Sequence, residues 1–104
     1  MAELDDIIHQ PLRLKIMAAL NALPAAASGL EFSRLKKLTG ATDGNLGAHL
    51  ATLENAGYIA VNKEGSGRKS RTTVTLTRAG RRAFEKHVSY LRDILEGSPP
   101  GDRT

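Results

Sequence analysis

Apolar side chains recur along this chain at two different periods. Leu12, Ile16, Leu20 and Leu23 return at helical spacing with Met17 beside them, which predicts an amphipathic helix over 11–23. Pro11 suits its first position, where a missing N–H costs no intrahelical bond. Before it, Leu4 to Ile8 predicts a short apolar-spaced turn or helix. PAAASG, from Pro24 to Gly29, predicts a loop. Leu30 to Phe32 follows as a candidate for a very short strand. A second helix over 32–39, capped by Glu31 or Ser33, would bury Leu35 and Leu38. Gly40 closes it, and only Ala41 stands before Thr42, a good N-cap for a helix over 43–56. There Leu46, Leu50 and Leu53 form one stripe, and Gly57 ends the run. Two helices joined by a tight glycine-containing turn are the signature of a helix-turn-helix.

Beyond Gly57 the period shortens. Tyr58, Ile59 and Val61 form one β-prone run, and Thr72 to Leu76 another, with Val74 and Leu76 on one face. KEGSGRKS between them predicts a β-hairpin with a glycine-rich tip. Thr77 is placed to cap a last helix over 78–95, with Phe84, Val88, Leu91 and Leu95 on one side, flanked by His87 and Ile94. GSPPGDRT reads as a frayed tail. The expected fold is mainly α with a small hairpin: a winged helix-turn-helix in one domain over 1–96, its last helix serving dimerisation, with a flexible tail over 97–104.

Length and charge sharpen this picture. A chain of 104 residues supports one domain with one modest core. The net charge is +4, unevenly spread. Residues 1–30 hold two cations (Arg13, Lys15) and three anions (Glu3, Asp5, Asp6), a net of −1. Residues 62–82 hold seven cations (Lys63, Arg68, Lys69, Arg71, Arg78, Arg81, Arg82) against Glu64, a net of +6. Such asymmetry is an electrostatic footprint for a polyanion; the plainer alternative is a solvated basic face.

Several other classes are disfavoured. There is no cysteine, and the four aromatic residues offer little for base stacking. His9, His49 and His87 fall on separate segments without metal-ligand spacing. No nucleophile elbow accompanies the serines, and the wing's Gly-Ser-Gly lacks the setting of a P-loop. Neither enzymatic activity nor a cofactor or metal is expected. No apolar run is long enough to cross a bilayer, and MAELDDIIHQ is not a secretory signal, so the expected location is cytoplasmic.

PLRLKIMAAL, FSRLKKLTGATDGNLGAHLATLENAGYI and RTTVTLTRAGR together resemble single-domain winged-helix transcription regulators of the ArsR-like and MarR-like group. The resemblance covers residues 4 to 95; its most specific parts are Asn45 to Ile59 and the LTRAG after the hairpin. It implies a homodimer that binds operator DNA. The cysteine box of the metal-sensing branch is missing, as are the helical extensions that build a ligand pocket in MarR-like dimers. An effector therefore stays open.

The second helix of the motif is the expected recognition helix, reading bases with its N-terminal half. Its outward face carries Gly44, Ala48, Ala51 and Asn55, small enough for close approach to DNA, flanked by Asn45, His49 and Thr52. Asn45 suits adenine, Thr52 either base type, and His49 a phosphate or a base. The alternatives are that His49 is a packed, hydrogen-bonded histidine and that Asn45 only caps the helix. Thr42 at the helix start joins this set. Arg34, Lys36 and Lys37 on the preceding helix are expected on phosphates, with plain solvation the alternative; Lys63, Arg68, Lys69, Ser70 and Arg71 in the wing are expected there too, or one wing arginine enters the minor groove, and such contacts position the protein rather than read sequence. Phe84, His87, Val88, Leu91, Ile94 and Leu95, joined by Leu4, Ile7 and Ile8, form the expected dimer seam; the alternative packs this helix on its own domain. The functional expectation is a sequence-specific regulator of double-stranded DNA, a homodimeric repressor on an inverted repeat. The rivals are a protein-interaction module and an architectural DNA binder with little sequence preference.

Overall fold

The computed structural model describes residues 5–24 and 26–97, with Lys69 described by its backbone alone. The chain runs α1 (Pro11–Asn21), β1 (Leu30–Glu31), α2 (Phe32–Thr39), α3 (Asp43–Asn55), β2 (Ile59–Glu64), a 3₁₀ turn (Gly67–Lys69), β3 (Arg71–Leu76) and α4 (Arg78–Leu95). Gln10 caps α1 by accepting from the Arg13 N–H at 3.0 Å, with Pro11 in the first turn. The helix stops at Asn21, two residues short of the sequence expectation. The Leu23 N–H then bonds the Leu20 carbonyl at 3.2 Å in a tighter final turn.

The helical stripes meet in one core. Ile16, Met17 and Leu20 of α1, Leu35 of α2, and Leu46, Leu50 and Leu53 of α3 close on Ile59, Val74, Phe84 and Ile8. Each such side chain contributes about 1.5–3 kcal/mol relative to exposure. Leu38 departs from expectation, since it is 52% exposed. Three residues on from Leu35 it has turned about 60° away from that side chain. The short α2 meets the rest of the domain along a line too narrow to cover both.

The hairpin pairs β2 with β3 antiparallel, Ile59 opposite Leu76 and Glu64 opposite Arg71. The Leu30–Glu31 strand becomes a third member, on the other side of β3, with Leu30 opposite Val74 and Glu31 opposite Thr73. That pairing ties the start of α2 to the base of the wing. α4 then leaves β3 through Thr77, which accepts from the Gly80 N–H at 3.0 Å and donates to the Gly57 carbonyl at 2.6 Å. Among the expectations from sequence, Leu4, the Lys69 side chain and residues 98–104 of the tail lie outside the described residues.

Candidate nucleic-acid interface

The α2–α3 turn sets the angle of α3, the expected reading helix. Gly40 takes φ +71°, a left-handed conformation, and its N–H bonds the Lys36 carbonyl at 2.9 Å. Two residues later Thr42 caps α3, its Oγ1 accepting from the Asn45 N–H at 3.2 Å. At the start of α2, Glu31 occupies the N-cap without a side-chain bond, and Ser33 lies inside the first turn. Neither residue supplies the capping bond expected of it.

With Leu46, Leu50 and Leu53 turned inward, α3 leaves Gly44, Asn45, Ala48, Ala51, Thr52 and Asn55 exposed. The cap belongs to Thr42, so the Asn45 side chain is not spent on it and has no hydrogen-bond partner among the described residues. Thr52 donates back to the Ala48 carbonyl at 3.2 Å, which leaves its oxygen's acceptor capacity outward. His49 is half-buried, and its Nδ1 stands 3.2 Å from a terminal nitrogen of the Arg13 guanidinium. It is therefore hydrogen-bonded within the domain and still partly open to solvent.

The elements before and after this helix carry exposed cations. Arg34 and Lys37 are exposed on α2. Lys36 is exposed too, but its Nζ is 2.8 Å from Asp43 Oδ1 across the turn. In the wing, Lys63, Arg68 and Ser70 are exposed, and Lys63 and Arg68 have no ion-pair partner among the described residues. Arg71 is held more loosely, 3.7 Å from Glu31. Both ion pairs are open to water, where such pairs contribute about 0–1 kcal/mol. A phosphate competes readily for either cation. Gly65 and Gly67 both take positive φ at the wing tip, which closes on the 3₁₀ turn.

The sheet brings two of these regions together. Because β1 pairs with β3, Phe32 and Ser33 of α2 share an open cleft of about 690 Å³ with Arg68, Ser70, Arg71 and Thr72 of the wing. Sequence reading missed three residues here: Asp43 as the partner of Lys36, Glu31 as the partner of Arg71, and Arg13 as the partner of His49. Asp43 is visible in the sequence as an acid in the first turn of α3. Glu31 needs the β1–β3 pairing, and Arg13, remote from His49 along the chain, carries no spacing signal at all.

At the expected seam, the structure divides the residues. Ile8 and His87 are fully enclosed within the single chain, and Phe84 is 8% exposed, so these three offer almost no surface to a partner. Gly80 lets α4 lie directly on the Tyr58 carbonyl, and the first half of the helix consequently packs on its own domain. Ile7, Val88 and Leu91 are half-buried, while Ile94 and Leu95 are 50% and 86% exposed. His87 packs edge-on against His9 and in parallel with Tyr90. Its Nε2 is buried without a partner among the described residues, and desolvation pushes its pKa below the ordinary value, with Asp5 opposing the fall and His9 adding to it. Tyr58 donates to Asp5 Oδ2 at 2.9 Å; burial, then that bond and the carboxylate's charge, push the phenol upward. No group of three or more His, Cys, Asp or Glu side chains among the described residues is placed to hold a metal, and none of the described helices is long and apolar enough to cross a membrane.

A helix-turn-helix followed by a hairpin whose second strand also pairs with a short strand before the motif defines a winged helix. The chain belongs to the winged helix DNA-binding domain family, which matches residues 12–95. It is similar to a transcriptional regulator homologue from Pyrococcus horikoshii, with 30% identity and a TM-score of 0.76 over 88% of this chain and 86% of that one. An uncharacterized protein of Methanocaldococcus jannaschii is 34% identical over 90 residues, which is 86% of this chain and 90% of the relative.

Proposed function

We propose that this chain is a sequence-specific regulator that binds double-stranded DNA as a homodimer and represses transcription from an inverted-repeat operator. It acts by binding and carries out no catalysis. The observation that carries the reading is the exposed, small-residue face of α3, its leucine stripe buried, together with exposed wing cations that have no ion-pair partner among the described residues. Gly44, Ala48 and Ala51 let the helix backbone approach the bases. Asn45, whose amide has no partner among the described residues, reads adenine, and Thr52 offers an oxygen to a base donor. Arg34, Lys37, Lys63 and Arg68 neutralise phosphates and fix the register. Lys36 and Arg71 join them by exchanging an exposed carboxylate for a phosphate oxygen.

The seam of the homodimer is assigned to the second half of α4, where Leu91, Ile94 and Leu95 keep apolar surface. Two reading helices related by a two-fold axis would then enter successive major grooves about 34–36 Å apart. α3 carries no arginine or lysine, and this favours one second reading, an architectural binder with weak sequence preference. Selection from a random duplex pool separates them. A palindromic consensus is expected of the regulator, while bound DNA without enrichment would establish the architectural role.

A further inference from the structure

We propose that Arg13 is a positioning residue that presents His49 to a DNA phosphate as a neutral imidazole with its proton on Nε2. The proposal rests on the DNA-binding reading above and adds to it a contact between α1 and α3. A guanidinium can only donate hydrogen bonds. Its terminal nitrogen lies 3.2 Å from His49 Nδ1, so Nδ1 must accept, and the ring hydrogen is left on Nε2. A second bond fixes the guanidinium itself, since Arg13 Nε donates to the Ile7 carbonyl. The turn carrying Ile7 is held in its place, because Asp5 Oδ1 accepts from the Ile7 and Ile8 N–H groups at 2.9 and 3.0 Å.

The free edge of the ring is accessible. Among the described residues the one buried side-chain nitrogen or oxygen without a partner belongs to His87. His49 Nε2 has no partner among the described residues and is not among the buried atoms, so it reaches solvent. On α3, His49 follows Asn45 by four residues and precedes Thr52 by three, which puts all three on one flank of the helix. His49 sits between that outward face and the buried stripe, at the rim where a DNA strand passes a helix seated in the groove. A fixed N–H there suits an acceptor, and the phosphate oxygen is the acceptor met at a rim.

Two measurements test this. Nitrogen-15 spectra of the free wild-type protein at about pH 8, above the ordinary histidine range, are expected to show His49 as the Nε2–H tautomer. A dominant Nδ1–H form overturns the proposal. Titrations with duplexes of several sequences should then find Arg13→Met about tenfold weaker on all of them, the scale of one hydrogen bond to a charged group. Arg13→Lys should recover most of that loss, and Arg13→Met should cost nothing further in a His49→Ala background. An equal loss in both backgrounds would mean that Arg13 acts on DNA independently, which overturns the positioning role. A loss confined to one base pair overturns the phosphate assignment. A wild-type protein that binds no duplex overturns the DNA-binding reading, while the tautomer is still decided by the spectrum.

Discussion

Two buried residues, His87 and Gly80, show how single positions decide the stability of this domain. His87 is enclosed beside Asp5, His9 and Tyr90, and its Nε2 has nowhere to place a charge. Its folded pKa is below the unfolded value near 6.5. Between those two values the unfolded chain binds the proton more readily, so stability rises with pH there and is lost as pH falls from about 6.5. Denaturant unfolding at a series of pH values should show that decline, and His87→Leu should flatten it. An unchanged slope in the variant would assign the pH dependence to other groups. Gly80 acts through space rather than charge. A Cβ there would stand 2.0 Å from the Tyr58 carbonyl oxygen, a backbone atom that cannot swing aside. Gly80→Ala is therefore expected to cost about 1–3 kcal/mol by overpacking, read as a lower denaturation midpoint. This is the physical content of the glycine in LTRAG, which the sequence showed only as part of a resemblance.

At the scale of elements, what was legible depended on how local the signal was. The period of Leu46, Leu50 and Leu53, the Thr42 and Thr77 caps, and Gly40 at positive φ were all readable, because each depends on neighbours within one turn. The short strand at Leu30 was readable too, but its place beside β3 and the half-enclosure of α4 were not, because pairing of Leu30 with Val74 and the seating of Gly80 on Tyr58 join distant segments. The same limit hid the candidate site's ion pairs and the Arg13–His49 bond, while the cations of the wing were visible as a plain charge excess. Lys63 and Arg68 are exposed and unpaired among the described residues. Replacing both by alanine should weaken binding to every duplex alike. It should also make the salt slope shallower by about 0.9 for each phosphate no longer neutralised. A steep slope that survives the double replacement would remove the wing from the interface.

For the whole molecule, a basic face proposed for DNA is joined to a helix whose second half is covered on one side, at Asp93, and open on another, at Ile94 and Leu95. The domain encloses Phe84 and His87 of α4 but leaves Ile94 and Leu95 open, which is where a second copy would add most burial. Leu91→Asp is expected to shift sedimentation from dimer to monomer with helical content retained. A variant that stays dimeric would place the seam elsewhere. In the proposed complex, charge neutralisation seats a small-faced helix on duplex DNA, and the decisive experiment is a titration of the wild-type protein with duplex from about 50 to 200 mM salt. If six or more phosphates are engaged, affinity should fall about 10³-fold or more across that range. Failure to bind duplex even in dilute buffer, or binding indifferent to salt, would contradict it.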